Sequence, residues 1–223
     1  MKQIIFIFLV SSSLSFAQKT DFDFGAKPDS FIKKTEFGYI YITSDTSSNY
    51  YDWIIPTIDT EMAHSIQNQY FSQEFEKINL SNSHFNLGSF PCKWNSVYRY
   101  QNEYFLYAPS DWMSNSGFYF SDSIIYITKS DWEPATDYIM KDFKLSNEGN
   151  ATIQTVNLLG QEIDISVCLI DKSLGIYELV FKNQQENYAT KFLMQNSDFS
   201  KKLRMIVSDC GDRKCNLEFD FSE

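Results

Sequence analysis

Ile163-Asp164-Ile165-Ser166-Val167-Cys168-Leu169-Ile170 opens a segment, running to Met194, in which apolar and polar residues alternate with period two. Asp171, Lys172, Ser173 and Gly175 supply turn chemistry after it. Tyr177, Leu179 and Phe181 then share one face, Asn183 to Asn187 turns again, and Tyr188, Thr190, Phe192 and Met194 resume the alternation. Successive strand side chains point to opposite faces, so the pattern predicts three antiparallel strands with one buried side.

The same rhythm extends outward. On the N-terminal side, Thr136 to Leu145 and Ala151 to Leu158 read as strands. Gly117 to Phe120 and Ser123 to Thr128 flank a Ser121-Asp122 turn, and Val97 to Tyr100 and Glu103 to Ala108 flank Gln101-Asn102. Glu36 to Thr43 is a first strand; Leu203 to Val207 and Asn216 to Phe221 close the series. Turns recur at roughly 8 to 12 residues, the spacing of an all-β sandwich or barrel. A mainly β fold follows: one antiparallel meander barrel of roughly eight to ten strands, with a β-sandwich as the alternative. Ile58 to Leu80 is the one long helix candidate, because Ile58, Met62, Ile66 and Tyr70 recur at helical spacing. It is expected to pack over one end or face of the sheet.

The composition agrees with a sheet: 20 Phe, 14 Tyr and 4 Trp stand against only 8 Gly and 5 Pro. The net charge of −10 argues against nucleic acid and anionic membranes as partners, since neither releases counterions to an acidic surface. Lys2, the apolar run Ile4 to Val10 and the small residues Ser15 and Ala17 form a secretory signal with cleavage near Ala17. Residues 1–17 are therefore set apart as a signal peptide, 18–35 as an N-terminal arm, and 36–223 as a single β-rich domain. The protein is expected outside the cytoplasm, periplasmic or secreted. No stretch is long and apolar enough for a transmembrane helix.

Four cysteines in an exported chain point to disulfides. Cys210 and Cys215 bracket a four-residue polar turn and are expected to bond across it. Cys92 and Cys168 either close a much longer loop, worth about 4 kcal/mol against about 2 for the short one, or leave Cys168 as a buried free thiol.

Chemistry is sparse. His64 and His84 are the only histidines, and no G-x-S-x-G, H-E-x-x-H or Cys/His signature accompanies them. In Asp21-Phe22-Asp23-Phe24-Gly25 the Gly sits one position too early for a calcium loop. No catalytic residue, metal or cofactor is assigned. Asp45, Asp52, Asp131 and Glu133 are acidic loop residues that a glycosidase would need to bring face to face. Trp94, Tyr104, Tyr107, Trp112, Tyr119 and Trp132 could line a site for a sugar or apolar ligand; the competing reading is core and cross-strand packing.

Pro91-Cys92-Lys93-Trp94, Tyr104 to Asp111, and Cys210 to Cys215 followed by Glu218-Phe219-Asp220-Phe221 together resemble a pattern in exported bacterial β-rich proteins that carry no assigned activity. The resemblance runs from about Gly88 to the C-terminus and implies no catalytic residue. A lipocalin-like barrel is an architectural analogy only, because Gly88 and Trp94 stand too far apart for the lipocalin G-x-W motif.

Three function classes remain on this reading. The first is a non-catalytic exported barrel that binds a small apolar or aromatic ligand, or a protein. The second is a hydrolase of extracellular polymers working through loop carboxylates. The third is a structural or inhibitory interaction protein.

Overall fold

Period-two alternation becomes thirteen strands in the computed structural model, which describes residues 24–54, 84–110, 116–129, 138–157, 159–186, 188–211 and 217–221. In chain order they are β1 (Ser30–Lys34), β2 (Tyr39–Thr43), β3 (Lys93–Ser96), β4 (Tyr98–Tyr100), β5 (Glu103–Ala108), β6 (Ser116–Phe120) and β7 (Ile124–Lys129). Then follow β8 (Tyr138–Leu145), β9 (Ala151–Asn157), β10 (Glu162–Asp171), β11 (Ile176–Asn183), β12 (Ala189–Asn196) and β13 (Arg204–Asp209). A helix α1 (Asn49–Ile54) and a 3-10 helix (Ser197–Lys202) join them.

Eight strands close into an antiparallel barrel in the order β10-β11-β12-β3-β6-β7-β8-β9. The segment Ile163 to Met194 pairs as its alternation requires. Ile163, Ile165 and Val167 stand opposite Asn183, Phe181 and Leu179, and all six are buried. A bulge between Leu169 and Asp171 ends the register and leaves Ile170 exposed. Seven staves, β6 to β12, follow one another in sequence. The eighth, β3, is inserted from far upstream between β12 and β6, with Trp94 opposite Asn196 on one side and Phe118 on the other.

The barrel interior is packed. Trp94, Phe120, Ile153, Ile165, Val167, Leu179 and Met194 form a continuous buried cluster. One end is plugged by the chain before β3, where Phe90 lies 5.4 Å from the rings of Trp94, Phe120 and Phe143. The backbone N–H of Phe85 fastens this plug by donating to the carbonyl of Asp122 in the β6–β7 turn, at 2.7 Å.

The other five strands form a second sheet, β1-β2-β13-β5-β4, in which β13 runs parallel to β5. The Gln101-Asn102 hairpin expected from sequence is present: both residues have positive φ, 48° and 64°, as a two-residue primed turn requires. It belongs to this second sheet, however, not to the barrel. One face of the sheet packs Tyr41, Leu106, Met205 and Val207 beneath Tyr51 and Ile54 of α1, and reaches the barrel through Ile176 and Leu193. The opposite face buries Ile40, Ile42, Phe105 and Ile206.

Four expectations need correction or placement. Residues 217–221 form no strand. Both edges of β13 are already taken, by β2 and β5, so a chain returning past Cys210 has no ladder to join. Its alternation is used differently. Leu217, Phe219 and Phe221 lie down on the outer face of the second sheet, while the N–H groups of Leu217 and Phe219 donate to Ser110 Oγ (3.1 Å) and Tyr107 Oη (3.0 Å).

Cys92 and Cys168 are not bridged; both are free and exposed. Cys168 faces outward on β10, and β11 and β12 separate that strand from β3, next to Cys92. Three interstrand steps amount to about 14 Å of sheet, beyond the roughly 7 Å a disulfide spans. Residues 30–34, assigned to a loose arm, are the edge strand β1. The signal peptide, the helix candidate Ile58 to Leu80 and Cys215 lie outside the described residues.

Candidate functional site

Among the described residues nothing covers the end of the barrel opposite the plug, and alternation determines which of them line it. The first residues of β6, β8, β10 and β12 and the last of β7 and β11 meet there. Their inward positions are Phe118, Tyr138, Ile163, Phe192, Ile127 and Phe181. These surround a cavity of about 70 Å³ that opens toward Tyr188 and Thr190, both exposed.

Three phenylalanines form its floor. Phe118 and Phe181 stack at 5.3 Å with 23° between planes, and Phe192 stands edge-on to both, at 5.3 Å from each. The Tyr138 ring lies 5.5 Å from Phe181. Burial, with Tyr188 adding to it, pushes the Tyr138 phenol above its ordinary range, so it stays protonated. The rim carries exposed apolar surface: Leu159 at the β9–β10 turn and Tyr188 beside the β11–β12 turn are 79% and 52% exposed.

One lining residue is polar and fully enclosed. Asn183 ends β11 and is 1% exposed. Its Oδ1 accepts the N–H groups of Gln185 (2.8 Å) and Glu186 (3.1 Å), an Asx turn that sets the β11–β12 connection. Those two bonds determine which end of the amide is oxygen. Among the described residues its Nδ2 has no partner. A buried, unpaired amide donor costs about 1–3 kcal/mol.

The aromatic residues singled out from the sequence do not converge. Trp94 is 0% exposed inside the barrel and donates its Nε1–H to the carbonyl of Pro91 at 2.8 Å. Tyr119 points outward on β6, 6.0 Å from Tyr126. Tyr104 and Tyr107 sit on opposite faces of the second sheet, and Tyr107 hydrogen-bonds Ser208 Oγ at 3.1 Å. Trp112 and Trp132 lie outside the described residues. The residues that do converge were read in the sequence as strand and turn positions. Asn183 looked like an ordinary turn residue, and nothing in one sequence marks which turn asparagine keeps a free donor.

Other polar clusters are structural in their connections. Asp209, buried at the end of β13, accepts from Tyr41 Oη and the Gly25 N–H through Oδ2, each at 3.2 Å, and from the Gly211 N–H through Oδ1 at 2.8 Å. Asn95 donates to Ser200 Oγ at 2.7 Å and accepts from Ser197 Oγ at 2.9 Å, pinning the 3-10 helix to β3. His84 is exposed and pairs with Asp122 at 2.8 Å. His64, Asp131 and Glu133 lie outside the described residues.

Asp45 is a loop cap. Bonds from Ser47 and the Lys27 N–H hold its carboxyl below the usual range, the wrong direction for a general acid. Among the described residues no group of three or more His, Cys, Asp or Glu could hold a metal ion, and no helix is long and apolar enough to cross a membrane. No family model, curated protein or solved structure matches the chain.

Proposed function

We propose that this is an exported, non-catalytic β-barrel module that receives the end of a small apolar or aromatic ligand at its open mouth. The observation that carries the reading is the phenylalanine-floored cavity, open at Thr190 and Tyr188 and closed at the far end by Phe90. At about 70 Å³ it is well under the roughly 300 Å³ of a typical small-molecule pocket. It therefore takes a terminal group, and the remainder of the ligand rests on the apolar rim formed by Leu159 and Tyr188. The acidic net charge and the secretory signal motif support a soluble role outside the cytoplasm.

Native mass spectrometry of the purified protein after incubation with mixed lipids and sugars tests this reading. A retained adduct is expected, and it should vanish in Thr190→Trp, a rim substitution on an exposed position that fills the mouth. No adduct with any compound, or adducts unaffected by the substitution, would reject it in favour of an interaction protein.

Export carries its own expectation. With Cys92 and Cys168 free, the bridge expected of an exported chain is the one between Cys210, just past β13, and Cys215. Peptide mapping without reduction should recover Cys210 and Cys215 in a single linked fragment. Free thiols at both positions would remove the disulfide and weaken the case for an oxidising compartment.

A further inference from the structure

We infer that the mouth end of the barrel docks on an uncharged lipid surface through Leu159 and Tyr188, and draws its apolar ligand from there. The docking stands on the rim itself; its purpose rests on the mouth being a ligand site.

Leu159 is the most exposed large apolar residue among those described, and Tyr188 is more than half exposed. They share one end of the barrel. Leu159 lies in the β9–β10 turn, and Tyr188 stands just before β12. The barrel's other exposed large apolar residue, Ile170, stands alone at the bulge of β10, toward the plug end. The turns at that end, residues 121–123, 146–150 and 171–173, are built of Ser, Asn, Asp, Glu, Lys and Gly.

The two apolar tips are fixed before anything binds. Asn157 Oδ1 accepts the N–H groups of Leu159 (3.0 Å) and Gln161 (2.9 Å). Gln161 Nε2 donates across to Glu186 Oε1 at 3.3 Å, and the Gln184 N–H donates to the Glu162 carbonyl at 3.2 Å. Turns already braced to each other lose little freedom on docking.

Shape and charge select the surface. Two protruding side chains fall far short of the roughly 1,000 Å² that a stable protein partner needs. A fluid lipid surface demands no matching shape. It takes an apolar side chain that enters and an amphipathic ring that rests at the headgroups, and Leu159 and Tyr188 supply one of each. Anionic headgroups repel a chain of net charge −10, so the surface is a neutral one. The outer wall limits the depth. Lys141 Nζ and Glu162 Oε1 pair at 2.7 Å only three residues beyond Leu159, and taking that pair out of water would cost more than the tips gain. Only the tips enter. The cavity opens toward Tyr188 and Thr190, so docking turns its entrance to the phase in which apolar compounds concentrate.

Flotation of the exported protein with vesicles of pure phosphatidylcholine tests the docking. Co-flotation is expected. It should weaken about tenfold in Leu159→Ser, the loss of one leucine side chain from lipid, and less in Tyr188→Ser. Ile170→Ser should leave it unchanged. Phosphatidylglycerol added at low salt should weaken it further. All three positions are exposed, so the variants are expected to melt like the parent.

No co-flotation, or flotation indifferent to both rim substitutions, would overturn the docking. Stronger binding as phosphatidylglycerol is added would overturn it too. A concentration-dependent dimer abolished by Leu159→Ser would assign the rim to a second copy and overturn the lipid inference. The mouth reading is judged apart, by the adduct lost in Thr190→Trp. An adduct without flotation keeps the mouth and rejects the lipid surface; flotation without any adduct keeps the docking and rejects the mouth.

Discussion

Trp94→Ala is expected to destabilise the fold by about 4 kcal/mol, the largest single effect of any substitution proposed for this protein. Trp94 is 0% exposed and meets Tyr177 at 4.9 Å, Phe90 at 5.4 Å and Phe120 at 5.9 Å between ring centroids. Truncation removes the apolar contact, opens a void in a barrel whose backbone cannot collapse into it, and orphans the Pro91 carbonyl that accepts from the indole. It also loosens the plug, because Phe90 rests on the same ring. A thermal melt should show a drop of about 10 °C. Tyr119→Ala, on the outward side of the neighbouring strand β6, should stay within about 1 kcal/mol. Equal melting of the two variants would mean that Trp94 is not inside a closed barrel.

Asp209→Ala should cost roughly 3 kcal/mol through a different mechanism, the stranding of buried donors. The Asp209 carboxylate ties together segments far apart in the chain: Gly25 near the N-terminal end of the described residues, Tyr41 on β2, and Gly211 just past β13. Two glycines allow this convergence. A Cβ on Gly25 would stand 2.7 Å from Tyr50 Oη, and one on Gly38 would stand 2.2 Å from the Asp209 carbonyl oxygen. Burial pushes the Tyr41 and Tyr50 phenols well above their ordinary 10.0, with the Asp209 carboxylate adding to both.

The direction of pH dependence follows. Raised phenols contribute stability that is whole below pH 10.0 and is lost as pH rises through their folded values. Asp209→Ala removes one of the causes of that shift. Its Tyr41 should therefore ionise at a lower pH than in the parent, read as tyrosinate absorbance in an alkaline titration. Asp209→Asn keeps one acceptor oxygen and should be intermediate in stability. If Asp209→Ala melted like the parent, the carboxylate would be a surface group and the second sheet would be held by apolar contact alone.

The two substitutions mark where the sequence was legible. The inward row of the barrel could be read residue by residue, because a strand buried on one face must alternate, and Ile163, Ile165, Val167, Leu179 and Phe181 do so. Turn positions were legible for a similar local reason. Gln101 and Asn102 are compatible with positive φ, and Ser121 closes the β6–β7 turn through its hydroxyl and the Ile124 carbonyl. The aromatic ligand set was a weaker inference, since an aromatic in a strand carries no mark of which layer it faces. Trp94, Tyr104, Tyr107 and Tyr119 occupy four different surfaces of two sheets.

The sequence by itself determined that the chain is an antiparallel β protein, where its meander from β6 to β12 turns, and which side of each stave is buried. Those are properties of neighbours along the chain, carried by period-two burial and by turn residues. Tertiary structure alone decided that β3 completes the barrel while β4, β5 and β13 leave it for a second sheet, that residues 217–221 cover a face instead of joining a ladder, and that Asn183 lines a cavity. Alternation states that a face must be covered but not by what. Which strand takes an open edge, and which donor is left without a partner, depend on segments that meet only after the chain has folded.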